Sequence, residues 1–127
     1  MSGAATLDAL RTRGYRASLD LAELVVRGPG PVPDDLRREI VADTVGLKAA
    51  VLLADPPGWL ARLVDLHRSG REAEVRRTDT SGKAKLFAVK VSLKNVCAAV
   101  AAEIGAPVLE WERLRPEVED ALGRWSK

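Results

Sequence analysis

A chain of 127 residues suits one ordinary domain or two very small ones. Apolar residues make up 46%, enough for a buried core, and with one Phe and one Tyr beside three Trp that core must be filled by Leu, Val and Ala, which favours helices over a large sheet. A formal charge of +2 is too small to mark a nucleic-acid protein by its sum, a single cysteine excludes an internal disulfide, and no stretch approaches the roughly 20 apolar residues that span a bilayer.

The first expected element is a short amphipathic helix in which Leu7 and Leu10 share a face and Gly14 supplies a left-handed cap. Tyr15 to Leu19 alternates in character, and Glu23 to Arg27 has strand composition, so the two read as a β-hairpin joined through Asp20-Leu21-Ala22. One face carries Tyr15, Ala17 and Leu19, and the other Arg16 and Ser18. Gly28-Pro29-Gly30-Pro31 is the strongest loop signal. Pro33 then fits the first helical position, with Asp34 and Asp35 complementing the positive end of the helix dipole. Leu36, Ile40 and Val41 mark an apolar stripe, and Gly46 is expected to break or kink the run before Leu47 to Leu53, giving two helices.

Asp55-Pro56-Pro57 is a stop followed by a new start. The next helix carries Trp59, Leu60, Leu63, Val64 and Leu66 and ends at Ser69-Gly70. A second hairpin, 71–78 with 84–91, is expected around Asp79-Thr80-Ser81-Gly82. Ser92 caps a helix in which Leu93, Val96, Cys97, Val100, Ala101 and Ile104 recur at helical spacing, closed by Gly105 and Pro107. Trp111 and Leu114 form a short element, and Pro116 starts a last helix carrying Val118, Leu122 and Trp125.

The expected fold class is therefore α+β and helix-rich: an αββαα unit over residues 1–55, then a second small helix-hairpin-helix-helix unit over 56–127, packed on the first as one globule or standing beside it. Because Leu7-x-x-Leu10-x-x-x-Gly14 matches Leu63-x-x-Leu66-x-x-x-Gly70 in spacing, a tandem of two related folds is one reading of that order.

Charge is unevenly spread. Arg71, Arg76, Arg77, Lys83, Lys85, Lys90 and Lys94 outweigh Glu72, Glu74 and Asp79 over 71–94, making a patch for nucleic acid or an acidic partner, or simply a solvated strand face. The tail then turns acidic through Glu110, Glu112, Glu117, Glu119 and Asp120, read as a polar helix surface.

Catalytic chemistry finds little support. His67 is the only histidine and Cys97 the only thiol, so a zinc site would need a carboxylate majority, and neither cofactor nor metal is expected. Cys97 sits on an apolar stripe as a small core residue, and His67 lies in a last helical turn where imidazole meets free carbonyls. Ser81-Gly82-Lys83 lacks the upstream glycine of a phosphate-binding loop. A small hairpin does leave unpaired edge groups that a partner strand can use, and Arg13, Arg16 and Arg27 on or beside the first hairpin can select acidic side chains in it.

The run Leu7-Asp-Ala-Leu10-Arg-Thr-Arg-Gly14-Tyr-Arg-Ala-Ser-Leu19, then Leu24-Val-Val-Arg27-Gly28-Pro29, Pro33-Asp-Asp-Leu36-Arg-Arg-Glu-Ile40 and Leu52-Leu53, resembles the N-terminal docking domain of the tubulysin-synthetase (TubC) type. That family has αββαα order, opens nonribosomal peptide synthetase subunits, is dimeric in its best-known form and receives the C-terminal linear motif of an upstream subunit along its hairpin. The resemblance covers residues 5–54. It implies that Arg16 and Arg27 face an acidic partner peptide, with Leu19, Leu24 and Val26 in or beneath the groove. The family's hairpin turn usually holds a glycine, whereas Asp20-Leu21-Ala22 has none and is expected to turn differently.

The leading expectation is a non-enzymatic, cytoplasmic docking or adaptor protein, a possible homodimer, that captures a protein partner with an acidic linear motif. The alternative is a nucleic-acid-associated accessory factor of a bacterial mobile element that uses the basic hairpin 71–94.

Overall fold

The computed structural model describes residues 2–70 and 72–125. Its elements run α1 (Gly3–Thr12), β1 (Arg16–Asp20), β2 (Glu23–Arg27), α2 (Asp34–Ala42), α3 (Thr44–Ala54), α4 (Gly58–Ser69), β3 (Glu72–Thr78), β4 (Ala84–Lys90), α5 (Leu93–Glu103), a 3-10 segment (Val108–Leu114) and α6 (Arg115–Trp125). The fold is helix-rich α+β. Two separate antiparallel hairpins, β1–β2 and β3–β4, make up its sheets.

Local signals explain most boundaries. The Ser2 hydroxyl accepts from the Ala5 N–H to start α1, and Gly14 takes a left-handed φ of 85° just past its end. Ser92 and Asn95 form a reciprocal capping box on α5. Gly70, at φ 67°, ends α4. Pro33 stands at the cap of α2, one residue before the expected position, and leaves Asp34 and Asp35 in the first turn.

The break between α2 and α3 falls at Asp43 and not at Gly46. Asp43 accepts from the Gly46 N–H at 2.9 Å and so begins a new helix. A methyl group on Gly46 would overlap the Asp43 carboxylate that caps α3, and α1 crosses α3 so closely there that a methyl group on Gly3 would overlap the Gly46 carbonyl.

The central helix is α3, apolar around most of its circumference, as expected of an element buried on several sides. Leu47 and Ala50 join Leu7, Leu10, Tyr15 and Leu36 in one core cluster, against which Ala17, Leu24 and Val26 of the first hairpin pack. Ala49, Leu52 and Leu53 point into a second cluster with Leu60, Val64, Val96, Cys97, Val100, Ile104, Leu114 and Val118, and Leu19 packs on that one. Each fully buried Leu or Val here contributes about 1.5–3 kcal/mol of transfer free energy. Residues on both sides of Asp55-Pro56-Pro57 thus share α3.

A long-range hydrogen bond reinforces this sharing. Glu117 on α6 is only 8% exposed, and its Oε1 accepts from the Gly3 N–H at 2.7 Å. The sequence reading placed Glu117 on a solvated helix surface; the structure instead turns it inward, where a carboxylate meets the positive end of α1.

Candidate docking groove

The first hairpin turns over only two residues. Leu21 and Ala22 have φ of 49° and 70°, so both occupy the left-handed region that a primed two-residue turn demands. Such turns ordinarily use Asn or Gly, because a Cβ is crowded there. The chain accepts that cost and presents Leu21 at the tip, 95% exposed.

Register follows from the turn. Asp20 faces Glu23, Ser18 faces Val25 and Arg16 faces Arg27 on the outer side, while Leu19 with Leu24 and Ala17 with Val26 point toward the core. The outer side is therefore basic at its open end and acidic at its tip. In a two-residue hairpin the pair beside the turn exchanges ladder bonds and the pairs alternate from there. Ala17 and Leu19 consequently aim their N–H and C=O groups away from β2, along the free edge of β1.

That edge borders a groove of about 680 Å³. Arg16, Ala17, Ser18 and Leu19 all line it, and four consecutive residues can do so only where a strand presents its edge and not one face. The opposite wall comes from Val51 and Leu52 of α3 and from Asp55-Pro56-Pro57, with Arg11 of α1 and Glu103 of α5 at its margins. Leu21 and Ala22 close the tip end. Arg11 and Arg16 supply positive charge, Asp55 and Glu103 negative charge, and among the described residues none of the four is in an ion pair.

The residues singled out in the sequence are divided by this geometry. Arg16 and Leu19 line the groove. Leu24 and Val26 lie beneath the hairpin as half-buried core residues. Arg27 is opposite Arg16 and exposed, outside the groove lining. Arg13 is engaged elsewhere: its guanidinium makes a two-bond pair with Asp35 at 3.2 and 2.9 Å, tying the end of α1 to the first turn of α2. The Arg13 hydrogen bond holds the Asp35 carboxyl below the usual carboxylate range.

The open end of the hairpin is fixed by Tyr15. Its hydroxyl donates to the Pro31 carbonyl at 2.9 Å, and its ring lies so close to Gly28 that a methyl group there would overlap it. Sequence reasoning missed Arg11, Asp55 and Glu103 as groove residues, since they are brought together only by the packing of α1, α3 and α5.

The second candidate surface lies on the separate β3–β4 hairpin. Arg76, Arg77, Lys83, Lys85 and Lys90 are exposed there, and Arg71 lies outside the described residues. His67, at the end of α4, hydrogen-bonds through Nδ1 to the Val91 carbonyl at 2.8 Å and anchors the hairpin's exit. This places its imidazole on a distant carbonyl and not on those of its own helix. Cys97 is fully buried, and burial pushes its thiol up to about 11, with the Glu119 charge adding to the effect.

Among the described residues no group of His, Cys, Asp and Glu is placed to hold a metal ion, and no helix is long and apolar enough to cross a membrane. No family model, curated protein or solved structure matches the chain.

Proposed function

We propose that this protein is a non-enzymatic cytoplasmic adaptor that docks a partner protein by adding an extended segment to the free edge of β1. The observation that carries this reading is the coincidence of that edge with the groove and with two guanidinium groups, Arg11 and Arg16, that are in no ion pair among the described residues. Main-chain bonds to Ala17 and Leu19 supply affinity, while an acidic side chain in the partner is selected by Arg11 and Arg16. The likeness of residues 5–54 to the TubC-type docking domain supports the same mode of binding.

The test is selection of peptides from a random display library against the full chain, followed by fluorescence anisotropy with the labelled winners. Enriched peptides are expected to carry acidic residues and to bind at least tenfold more weakly to Arg16→Glu, with unchanged circular dichroism. Peptides of no charge preference, or peptides whose affinity ignores Arg16→Glu, would refute the reading.

A further inference from the structure

The β3–β4 hairpin is built unlike the first. Among the described residues its extensive packing is between its own strands, whereas β1 rests on α1 and α3. An isolated two-stranded ribbon is at best marginally stable in water. This one also exposes a large apolar side chain on each face, Leu86 at 67% and Phe87 at 45%.

Its charges are concentrated toward the tip. The register puts Arg76 on the face of Leu86 and both Arg77 and Lys85 on the face of Phe87, while Lys83 stands at the loop; Lys90, at the far end of the Leu86 face, lies opposite Glu72. Among the described residues none of these five cations is in an ion pair. Arg77 lies directly opposite Lys85, a juxtaposition of like charges that weakens a ribbon in water and is relieved by an anion between them. The carboxylate at the tip, Asp79, is turned into its own loop, where it accepts from the Ser81 and Lys83 backbone N–H groups at 2.9 and 3.0 Å.

We infer that the β3–β4 ribbon is a binding surface for duplex DNA, entering its major groove. In the half of the ribbon nearest the turn, basic groups on both faces and at the loop call for negative charge on several sides at once. A flat acidic surface meets one face only; a groove walled by two phosphate strands meets both. The major groove of B-form DNA, about 12 Å wide, admits a two-stranded ribbon, whereas the deep, narrow major groove of duplex RNA does not. Strands of seven residues extend about 23 Å, enough to follow the groove across several base pairs. Phe87 would then meet base edges such as thymine methyl groups, Leu86 on the opposite face would lie along the groove wall, and the cations would meet phosphates. This inference does not depend on the role of the first hairpin.

The test titrates the full chain into a fluorescein-labelled 25-base-pair DNA duplex at several salt concentrations. With about 0.9 of a unit of slope per phosphate, five contacts give a log–log slope near −4.5, a fall of roughly 10²–10³-fold between 50 and 200 mM salt. The double variant Arg77→Glu/Lys85→Glu is expected to lose more than tenfold in affinity and to flatten that slope by about two. Phe87→Ala is expected to weaken binding with the slope unchanged, and circular dichroism reports whether each variant is folded. No binding at 25 mM salt, a folded Arg77→Glu/Lys85→Glu variant that binds like the parent, or equal affinity for duplex RNA or polyglutamate would overturn the assignment.

Discussion

The turn at Leu21-Ala22 offers a perturbation whose magnitude follows from backbone geometry. Both residues hold positive φ, and a left-handed conformation costs a residue with a Cβ roughly 1–2 kcal/mol. Leu21 is almost wholly exposed, so replacing it forfeits little packing. The double variant Leu21→Asn/Ala22→Gly installs the pair that a primed turn prefers. Against this gain stand the greater unfolded-chain entropy of glycine, about 0.5–1 kcal/mol, and loss of the Ala22 methyl group, which lies close to Gly105. The net expectation is a stabilisation of about 1–2 kcal/mol. For a chain of 127 residues, with an unfolding entropy of about 2.1 cal/mol/K per residue, that raises Tm by about 4–7 °C in differential scanning calorimetry. An unchanged or lowered Tm would refute the claim that this turn is strained. If the exposed Leu21 also touches the docked partner, the same variant loses affinity while gaining stability, the usual signature of strain kept at a functional surface.

Other consequences can be checked independently. Glu117→Ala leaves the buried Gly3 N–H without its acceptor and is expected to cost about 1–3 kcal/mol in urea unfolding, while Glu117→Gln, which keeps an acceptor oxygen, costs less; equal losses would remove the proposed clasp between α6 and α1. Cys97 is expected to react with a thiol reagent only after unfolding, and prompt reaction of the native protein would contradict its burial. Because its native pKa is raised to about 11, above the ordinary thiol value near 8.5, its contribution to stability is fully present below about pH 8.5 and is lost as pH rises toward 11. Asp79 behaves in the opposite sense. The Ser81 hydroxyl, followed by backbone N–H groups, holds its carboxyl below the usual range, so the turn is intact above about pH 4 and loosens as pH falls through the depressed value; an ordinary titration of Asp79 by NMR would contradict this.

Much of the fold could be read because the chain punctuates itself. Alternation from Tyr15 to Leu19, the prolines after Asp55, the cap at Ser92 and the glycines at 14 and 70 each act through neighbours within a few residues, so local sequence carries their meaning. The turn at Leu21-Ala22 carried no such signal, since neither residue advertises positive φ and its conformation is imposed by the paired strands. Glu117 was misread for a related reason: its helix is acidic on the outside, and only the approach of α1 distinguishes this carboxylate from Glu119 or Asp120. The groove was half legible. Arg16 and Leu19 declare themselves on an alternating strand, but Arg11, Asp55 and Glu103 become neighbours only when α3 draws both parts of the chain onto one helix.

The central claim, that β1 accepts a partner strand along its free edge, is tested most directly by amide hydrogen exchange at Ala17 and Leu19, with and without a saturating peptide selected from the display library. Both amides are expected to exchange rapidly in the free protein and to gain protection of at least tenfold in the complex. Protection confined to other amides, with Ala17 and Leu19 exchanging as before, would contradict the account.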